Sequence, residues 1–437
     1  MNEDNNKIYI LGGGISGLAA AATLKESYLL LEKNNYIGGL CRSKYKDGFT
    51  FDVGTHIFFT KTSKMIEILD KILNSNYYFR EAEIWNYYNK LFFPHPVQVN
   101  SFYLPVDLKI DCIISFVKNL IQREENKEIS TYKEWCLYNF GNDFSQNFLL
   151  RYAKKFWTVS PETLTVDWIG NRILNPDIES VITGAFKKNV NNDYYITKFR
   201  YPKTGGFGDF IQKFSNNLKN VKLNQEITSI DLENHEFIIN RKEKVKYSKC
   251  LSSIPLPEYL KLCVNLPKRI KACLEKLNWT SVLVINLALK HPIETEKHFE
   301  YYYDEEVPFF RSSFPANLSN SNVPKGRGSI CLESSYNGKQ EVNEQEIIKN
   351  SIEALINIGY INSPNDIIFQ DIESIKYAYV IFDSERKNSI SEIIEYLESF
   401  NLFPFGRYGH WDYYWSDQAF FDGIKMADRI MKSSKGN

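Results

Sequence analysis

Three glycines, at 12, 14 and 17, and one acid, Glu32, carry the clearest chemistry in this 437-residue chain. They begin as Gly12-Gly13-Gly14-Ile15-Ser16-Gly17, directly after the strand-like run Lys7-Ile8-Tyr9-Ile10-Leu11. Leu18 to Lys25 reads as a helix. Tyr28-Leu29-Leu30-Leu31 reads as a second strand, with Glu32 at its end, 20 residues after Gly12. This strand–turn–helix–strand setting is the one in which G-x-G-x-x-G binds a dinucleotide. Gly12 permits the tight turn, Gly14 lets the backbone approach a pyrophosphate, and Gly17 lets helix and strand pack closely. The helix start offers unpaired N–H groups and a positive dipole end to phosphates. Glu32 can accept hydrogen bonds from a ribose hydroxyl.

A second glycine pair, Gly38-Gly39, follows with Leu40-Cys41-Arg42-Ser43, and then Gly48-Phe49-Thr50-Phe51-Asp52-Val53-Gly54-Thr55-His56. This resembles the extended flavin-binding start of the glutathione-reductase-like superfamily, in the branch with amine oxidases, protoporphyrinogen oxidase and UDP-galactopyranose mutase. The resemblance favours FAD over NAD.

The elements that position these residues imply more than one core, because a chain of this length exceeds one ordinary domain. Residues 84–105 read as short strands and turns. Residues 107–125 place Ile110, Ile113, Ile114, Val117, Leu120 and Ile121 on one helical face. Thr131-x-x-Glu134 is a capping box. It opens a helix in which Phe140, Phe144, Phe148, Tyr152 and Phe156 recur every four residues. Strands are expected over 279–289, 299–303, 329–336 and 374–381, with helices near 344–358 and 389–400 and from 416. The expected fold is α/β: a Rossmann-like FAD-binding domain (1–85, 200–262 and 390–437), an inserted helical bundle (107–195), and an antiparallel β-sheet substrate domain (86–106 and 265–389).

Bulk properties exclude several classes. Basic and acidic residues number 53 each, so the formal net charge is zero. A general nucleic-acid binder needs a basic surface. Seven cysteines, an odd number without C-x-x-C, suggest neither a disulfide framework nor a zinc site. Neither H-E-x-x-H nor close His/carboxylate spacing occurs, so no catalytic metal is expected. The start lacks a signal-peptide apolar region and no 18-residue apolar run exists. A reducing, cytoplasmic setting without a transmembrane segment is expected.

Separated segments share their order with one family. Phe51-Asp52-Val53-Gly54-Thr55-His56-Ile57-Phe58, Tyr152 to Trp157, Trp168-Ile169-Gly170-Asn171-Arg172, Tyr201 to Gly208, Pro308-Phe309-Phe310-Arg311 and Gly406-Arg407-Tyr408-Gly409-His410-Trp411-Asp412-Tyr413 each resemble a motif of eukaryotic-type UDP-galactopyranose mutases. The resemblance implies interconversion of pyranose and furanose forms of a nucleotide-linked hexose, in polysaccharide or glycan synthesis. It implies reduced FAD acting through N5 as nucleophile, with NADPH or NADH as reductant. It casts Arg311 and Arg407 as diphosphate-binding arginines, and Tyr301, Tyr379 and Tyr413 as diphosphate-facing tyrosines. His56 and Arg172 fall beside flavin and sugar as catalytic candidates. Gln98, Tyr152, Trp157 and Asn317 join the substrate set. Gly12, Gly14, Gly17, Glu32, Gly38, Gly39, Arg42, His56, Gly206, Asp417 and Gln418 form the cofactor set. A homo-oligomer is compatible with it.

Two departures bear on the substrate. The family's Y-P-F-Q is His95-Pro96-Val97-Gln98 here, and a valine cannot stack on a base as an aromatic ring does. A family tyrosine falls on Leu318. The alternative reading is a flavin-dependent oxidase or desaturase of the amine oxidase or protoporphyrinogen oxidase type, which shares the same fingerprint.

Overall fold

The computed structural model describes residues 7–188 and 196–433. Strand Ile8–Leu11 is the centre of a five-stranded parallel sheet in the order Leu402–Pro404, Cys250–Ser252, Ile8–Leu11, Tyr28–Leu31, Val221–Lys222. Parallel strands are covered on both faces, which explains the unbroken apolar runs here. Ile10, Leu11 and Leu30 are fully buried. Helix Ile15–Leu24 carries Ala19, Ala20 and Ala21, whose small side chains let helix Ser416–Ser433 lie close. A Cβ on Gly423 of that second helix would stand 2.2 Å from the Ser16 carbonyl oxygen.

A seven-stranded sheet runs Ile367–Val380, Trp279–Leu289, Gly328–Asn337, Arg311–Ser313, Phe299–Tyr302, Ile84–Tyr88, Leu91–Pro94. Only the pair Phe299–Tyr302 and Ile84–Tyr88 is parallel. Side chains alternate between faces. Leu283, Ile285 and Leu287 pack with Ile348 and Leu355 of helix Glu344–Ile358. Val282 and Val284, on the other face, share a core with Phe156, Trp157 and Phe310. One row on that second face reads Glu373, Val284, Glu333, Arg311, Tyr301, Asn86, Phe93 in direct register. This is how residues distant in sequence are brought to one wall.

Three smaller antiparallel units complete the described strands, one of them Ser43–Lys46 paired with Phe49–Asp52. Ile227–Asp231, Glu236–Ile239 and Glu243–Lys246 form another, and Tyr77–Glu81 pairs with Lys198–Pro202 in the third.

The helical segment comprises Val106–Gln122, Tyr132–Phe144, Leu150–Trp157 and Ile178–Phe186. Positions 189–195, the last of the expected bundle, lie outside the described residues. Both halves of the capping box form: Glu134 N donates to Thr131 Oγ1 at 3.2 Å and Thr131 N to Glu134 Oε2 at 3.0 Å. The phenylalanine ladder is not one continuous helix. Gly141 adopts φ +71°, where a Cβ would stand 2.6 Å from the Ser115 carbonyl, and a wider π-type turn follows over Ser145–Leu149. Phe140, Phe144 and Phe148 are still fully buried, because the break re-aims the ladder toward the core.

Helix Val106–Gln122 corrects a second expectation. Its apolar stripe is split: Ile113, Val117 and Leu120 pack against the core beside the buried Cys112 and Phe116, while Ile110, Ile114 and Ile121 are 47, 46 and 78% exposed.

Candidate active site

The glycine turn leaves a cradle. A Cβ on Gly17 would stand 2.0 Å from the Gly12 carbonyl oxygen, so glycine is needed for that helix to meet that strand. A Cβ on Gly14 meets nothing within 4 Å, and no side chain caps the helix that starts there. Gly38 donates its amide to the Gly13 carbonyl at 2.8 Å, bringing the Gly38-Gly39 turn over the same opening. Glu32 is 7% exposed and accepts from the Gly13 amide at 2.7 Å and the Asn34 amide at 2.9 Å. Open space at Gly14, bare helix amides and an acid held fixed just past the second strand fit a dinucleotide pyrophosphate. Arg42 donates to the Gly39 carbonyl at 2.9 Å and to Glu373 Oε1 at 2.7 Å, linking this region to the seven-stranded sheet.

Gly206 belongs to a loop that Asp52 organises. Asp52 Oδ1 accepts from Ser43 Oγ at 2.6 Å and from the Phe207 amide at 3.0 Å, and Oδ2 accepts from the Tyr201 hydroxyl at 2.9 Å. Burial pushes this carboxyl up to about 6, against the lowering effect of those three donors. Gly206 itself has φ +68°, and a Cβ there would stand 2.4 Å from Ser43 Oγ.

The two arginines meet a wall of tyrosines. Arg311 forms a fork on Glu333, Nε to Oε1 at 2.9 Å and Nη2 to Oε2 at 2.7 Å. Arg407, in the short helix Gly406–Gly409, donates to the Tyr414 carbonyl and, at 3.0 Å, to the Ala378 carbonyl. Its buried Nε has no partner among the described residues. The Arg407 guanidinium lies 4.9 Å from the Tyr413 ring and 5.6 Å from the Tyr379 ring. Tyr152 and Tyr301 meet edge to face at 5.5 Å, and Tyr379 and Tyr413 at 5.8 Å. Burial raises the Tyr152, Tyr301 and Tyr379 hydroxyls above the ordinary value, so they stay protonated donors. Arg172 is held between the rings of Tyr413 (4.6 Å) and Trp415 (4.5 Å), and donates to the Trp168 carbonyl at 3.0 Å.

His56 sits in the Gly54-Thr55-His56 loop beside this wall. Burial first, then the nearby Arg311 and Arg407 charges, hold it down to about 4, so it is neutral at pH 7. Its Nδ1 lies 2.9 Å from the Gly54 carbonyl, which can only accept. Nδ1 therefore carries the proton and Nε2 the lone pair.

Not every candidate reaches this cluster. Trp157 is 1% exposed and backs Tyr413 at 5.4 Å. The Asn317 amide donates to the Thr295 and Lys297 carbonyls, at 2.8 and 2.7 Å. Gln98 is 4% exposed, and its side-chain amide donates to the Leu174 carbonyl at 3.5 Å. Asp417 and Gln418 bond the start of their own helix: Gln418 Oε1 accepts from the Trp415 amide at 2.8 Å, and Asp417 Oδ1 from the Gln418 amide at 2.9 Å. Val97 and Leu318, the departures from the family pattern, are each 1% exposed and belong to the core.

Three residues carry contacts to which the sequence reading assigned no role. Glu333 and Asp52 are buried acids within apolar strands, and a buried charge must find partners; that was the available signal. His95 stands 5.0 Å from Tyr301, edge to face, and shares a 2.9 Å bond with Asn86 Oδ1. No local pattern announces that placement.

Residues 15–358 match the family model described as flavin containing amine oxidoreductase. Over 54 residues, 12% of the chain, the sequence is 46% identical to 4,4'-diapophytoene desaturase of Staphylococcus aureus, and it spans only 11% of that enzyme's length. The structure of reduced UDP-galactopyranose mutase superposes with a TM-score of 0.91 at 24% identity, covering 98% of this chain and 94% of that one. A proposed protoporphyrinogen oxidase from Exiguobacterium sp. 255-15 superposes with a TM-score of 0.74 at 13% identity, covering 98% and 99%. At these identities the two structures share a fold with this chain.

Proposed function

The chain belongs to the flavin containing amine oxidoreductase family, and within it we propose a nucleotide-sugar mutase, which interconverts the pyranose and furanose forms of a nucleotide-linked hexose. The observation that carries this reading is the convergence of Arg311 and Arg407 on one tyrosine-lined wall, with the buried Nε of Arg407 left without a partner among the described residues. An oxidase acting on an apolar substrate has no use for two buried guanidiniums there. A diphosphate does, because guanidinium forks match phosphate oxygens.

Gly12, Gly14, Gly17, Glu32, Gly38 and Gly39 would hold FAD, which when reduced supplies a nucleophilic N5 for the anomeric carbon. Arg311 and Arg407 bind the diphosphate and stabilise the charge it gains as it departs from the sugar. The Tyr152, Tyr301 and Tyr379 hydroxyls, still protonated, donate to its oxygens. Arg172 packs on the Tyr413 ring, which Arg407 also approaches. Neutral His56 offers an Nε2 acceptor to a sugar hydroxyl or flavin N–H.

A trapping experiment tests this. The FAD-loaded protein is reduced with dithionite under anaerobic conditions and mixed with UDP-galactose, with GDP- and dTDP-hexoses in parallel. After cyanoborohydride quenching, the released flavin is weighed. A gain of one hexose is expected with one nucleotide. Unmodified flavin across the panel, with oxygen uptake on an apolar substrate, would replace the mutase reading with the oxidase or desaturase one.

A further inference from the structure

Arg407 stands on a joint between the two large sheets. The residue two before it, Phe405, donates its amide to the Ser252 carbonyl of the parallel sheet at 2.9 Å. The Arg407 guanidinium donates to the Ala378 carbonyl, in strand Ile367–Val380 of the seven-stranded sheet, at 3.0 Å. Between these two anchors lies Gly406 at φ +75°, packed so that a Cβ would stand 2.6 Å from Ser16 Oγ. Packing and backbone both require glycine here, and glycine restrains its own φ and ψ poorly. Asp422, on helix Ser416–Ser433, supplies the restraint from outside. Its Oδ2 accepts from the Gly406 amide at 2.6 Å and lies 3.3 Å from His410 Nδ1. Resting on the nucleotide-sugar reading, we propose that Asp422 is a positioning residue: it locks the Gly406 joint and so aims Arg407 at the diphosphate.

The contacts close a ring around the arginine. The His410 amide donates to the Gly406 carbonyl at 2.9 Å, so one carboxylate oxygen grips both ends of the turn that carries Arg407. The Tyr414 hydroxyl lies 3.5 Å from the same His410 nitrogen, and the Tyr414 carbonyl accepts from Arg407. Asp422 is itself placed by its neighbour. A Cβ on Gly423 would stand 2.2 Å from the Ser16 carbonyl oxygen, so Gly423 and Gly406 are packed against the same residue. Ser16 stands in the first turn of the helix that opens at the Gly14 cradle. The joint is therefore seated on the cofactor turn, while the guanidinium it aims reaches the tyrosine wall. Small displacements of a positioned group cost a bound ligand heavily. Asp422 acts through the Gly406 backbone and not by touching the ligand.

A double-mutant cycle tests this, read by isothermal titration of the FAD-loaded protein with UDP-galactose, and with GDP- and dTDP-hexoses in parallel. Asp422→Ala is expected to weaken binding on the order of tenfold when Arg407 is present, and by less than about twofold in the Arg407→Ala background. Asp422→Asn, which keeps an oxygen for the Gly406 amide, is expected to bind within about twofold of the wild type. Flavin absorbance reports the loading of every variant. Wild-type affinity of Asp422→Ala would overturn the proposal. So would an equal loss in both backgrounds, which would leave Asp422 a general support of the fold. Should Asp422→Ala fail to load flavin, Asp422→Glu runs the same cycle, because it displaces the carboxylate by one methylene. A smaller loss that again needs Arg407 is expected, and a loss independent of Arg407 would overturn the proposal. Failure of every nucleotide sugar to bind the wild type would instead refute the nucleotide-sugar reading beneath it.

Discussion

The missing side chain of Gly17 faces the carbonyl oxygen of Gly12 so closely that a Cβ would stand 2.0 Å from it. Three residues earlier, Gly14 faces open space and holds φ −72° and ψ 176°, a conformation any residue adopts. The same motif thus contains one glycine required by packing and one required by a ligand. Gly17→Ala is expected to destabilise the protein by about 1–3 kcal/mol through overpacking. Gly14→Ala is expected to hold stability without cofactor within about 0.5 kcal/mol, yet to weaken FAD binding, because its Cβ enters the pyrophosphate space. Urea denaturation without flavin and flavin-fluorescence titration separate the two. Equal behaviour of both variants would refute the division.

Arg407 contacts two backbone carbonyls, and its buried Nε has no partner among the described residues. Arg407→Ala is expected to weaken nucleotide-sugar binding by about 1.5–3 kcal/mol, the range of a charge-assisted hydrogen bond, with flavin still bound. Arg407→Lys is expected to fall between, since lysine keeps the charge but cannot form the fork or stack as flatly on Tyr413. Calorimetry of ligand binding, with flavin absorbance as the control, checks both. Normal ligand binding by Arg407→Ala would remove the diphosphate from this wall.

The glycine turn was legible because its strand, turn, helix and Glu32 are neighbours in sequence and their spacing is dictated by backbone geometry. The row Tyr301, Arg311, Glu333 was only half legible. Its arginine and tyrosine stand in recognisable segments, but the pairing with Glu333 depends on strand register, which no local pattern carries. Asn317 and Gln98 show the same limit: their segments resemble the family, while their amides are tied to or packed against local backbone. Helix Val106–Gln122 was legible in period and not in orientation, because isoleucines mark both a core face and an exposed one. Ile114→Glu is therefore expected to change stability by less than about 0.5 kcal/mol, whereas Phe116→Ala, at 1% exposure, is expected to remove about 3–5 kcal/mol. Urea midpoints of the two variants decide which face holds the helix.

Acid sensitivity follows from three histidines. Burial holds His56, His95 and His298 down to about 4, about 3 and about 4. Each is neutral in the native protein, while in the unfolded chain each takes a proton near pH 6.5. The unfolded state then binds more protons, so stability falls as pH drops from about 6.5 and levels off near each folded value. Asp52 acts oppositely: raised to about 6, it takes its proton in the native state first and adds stability as pH falls from 6 to about 4. Three groups outweigh one, and a net loss is expected between pH 6.5 and 4. His298 is 6% exposed and its Nδ1 accepts from the Glu83 amide at 3.0 Å. His298→Asn keeps an acceptor there and removes the titration, so the slope of stability against pH is expected to fall by up to about 1.4 kcal/mol per pH unit. Urea midpoints from pH 7.5 to 4.5 measure it. A variant with the wild-type slope would show that His298 takes its proton without unfolding, and would move the acid sensitivity to the two histidines beside Arg311 and Tyr301.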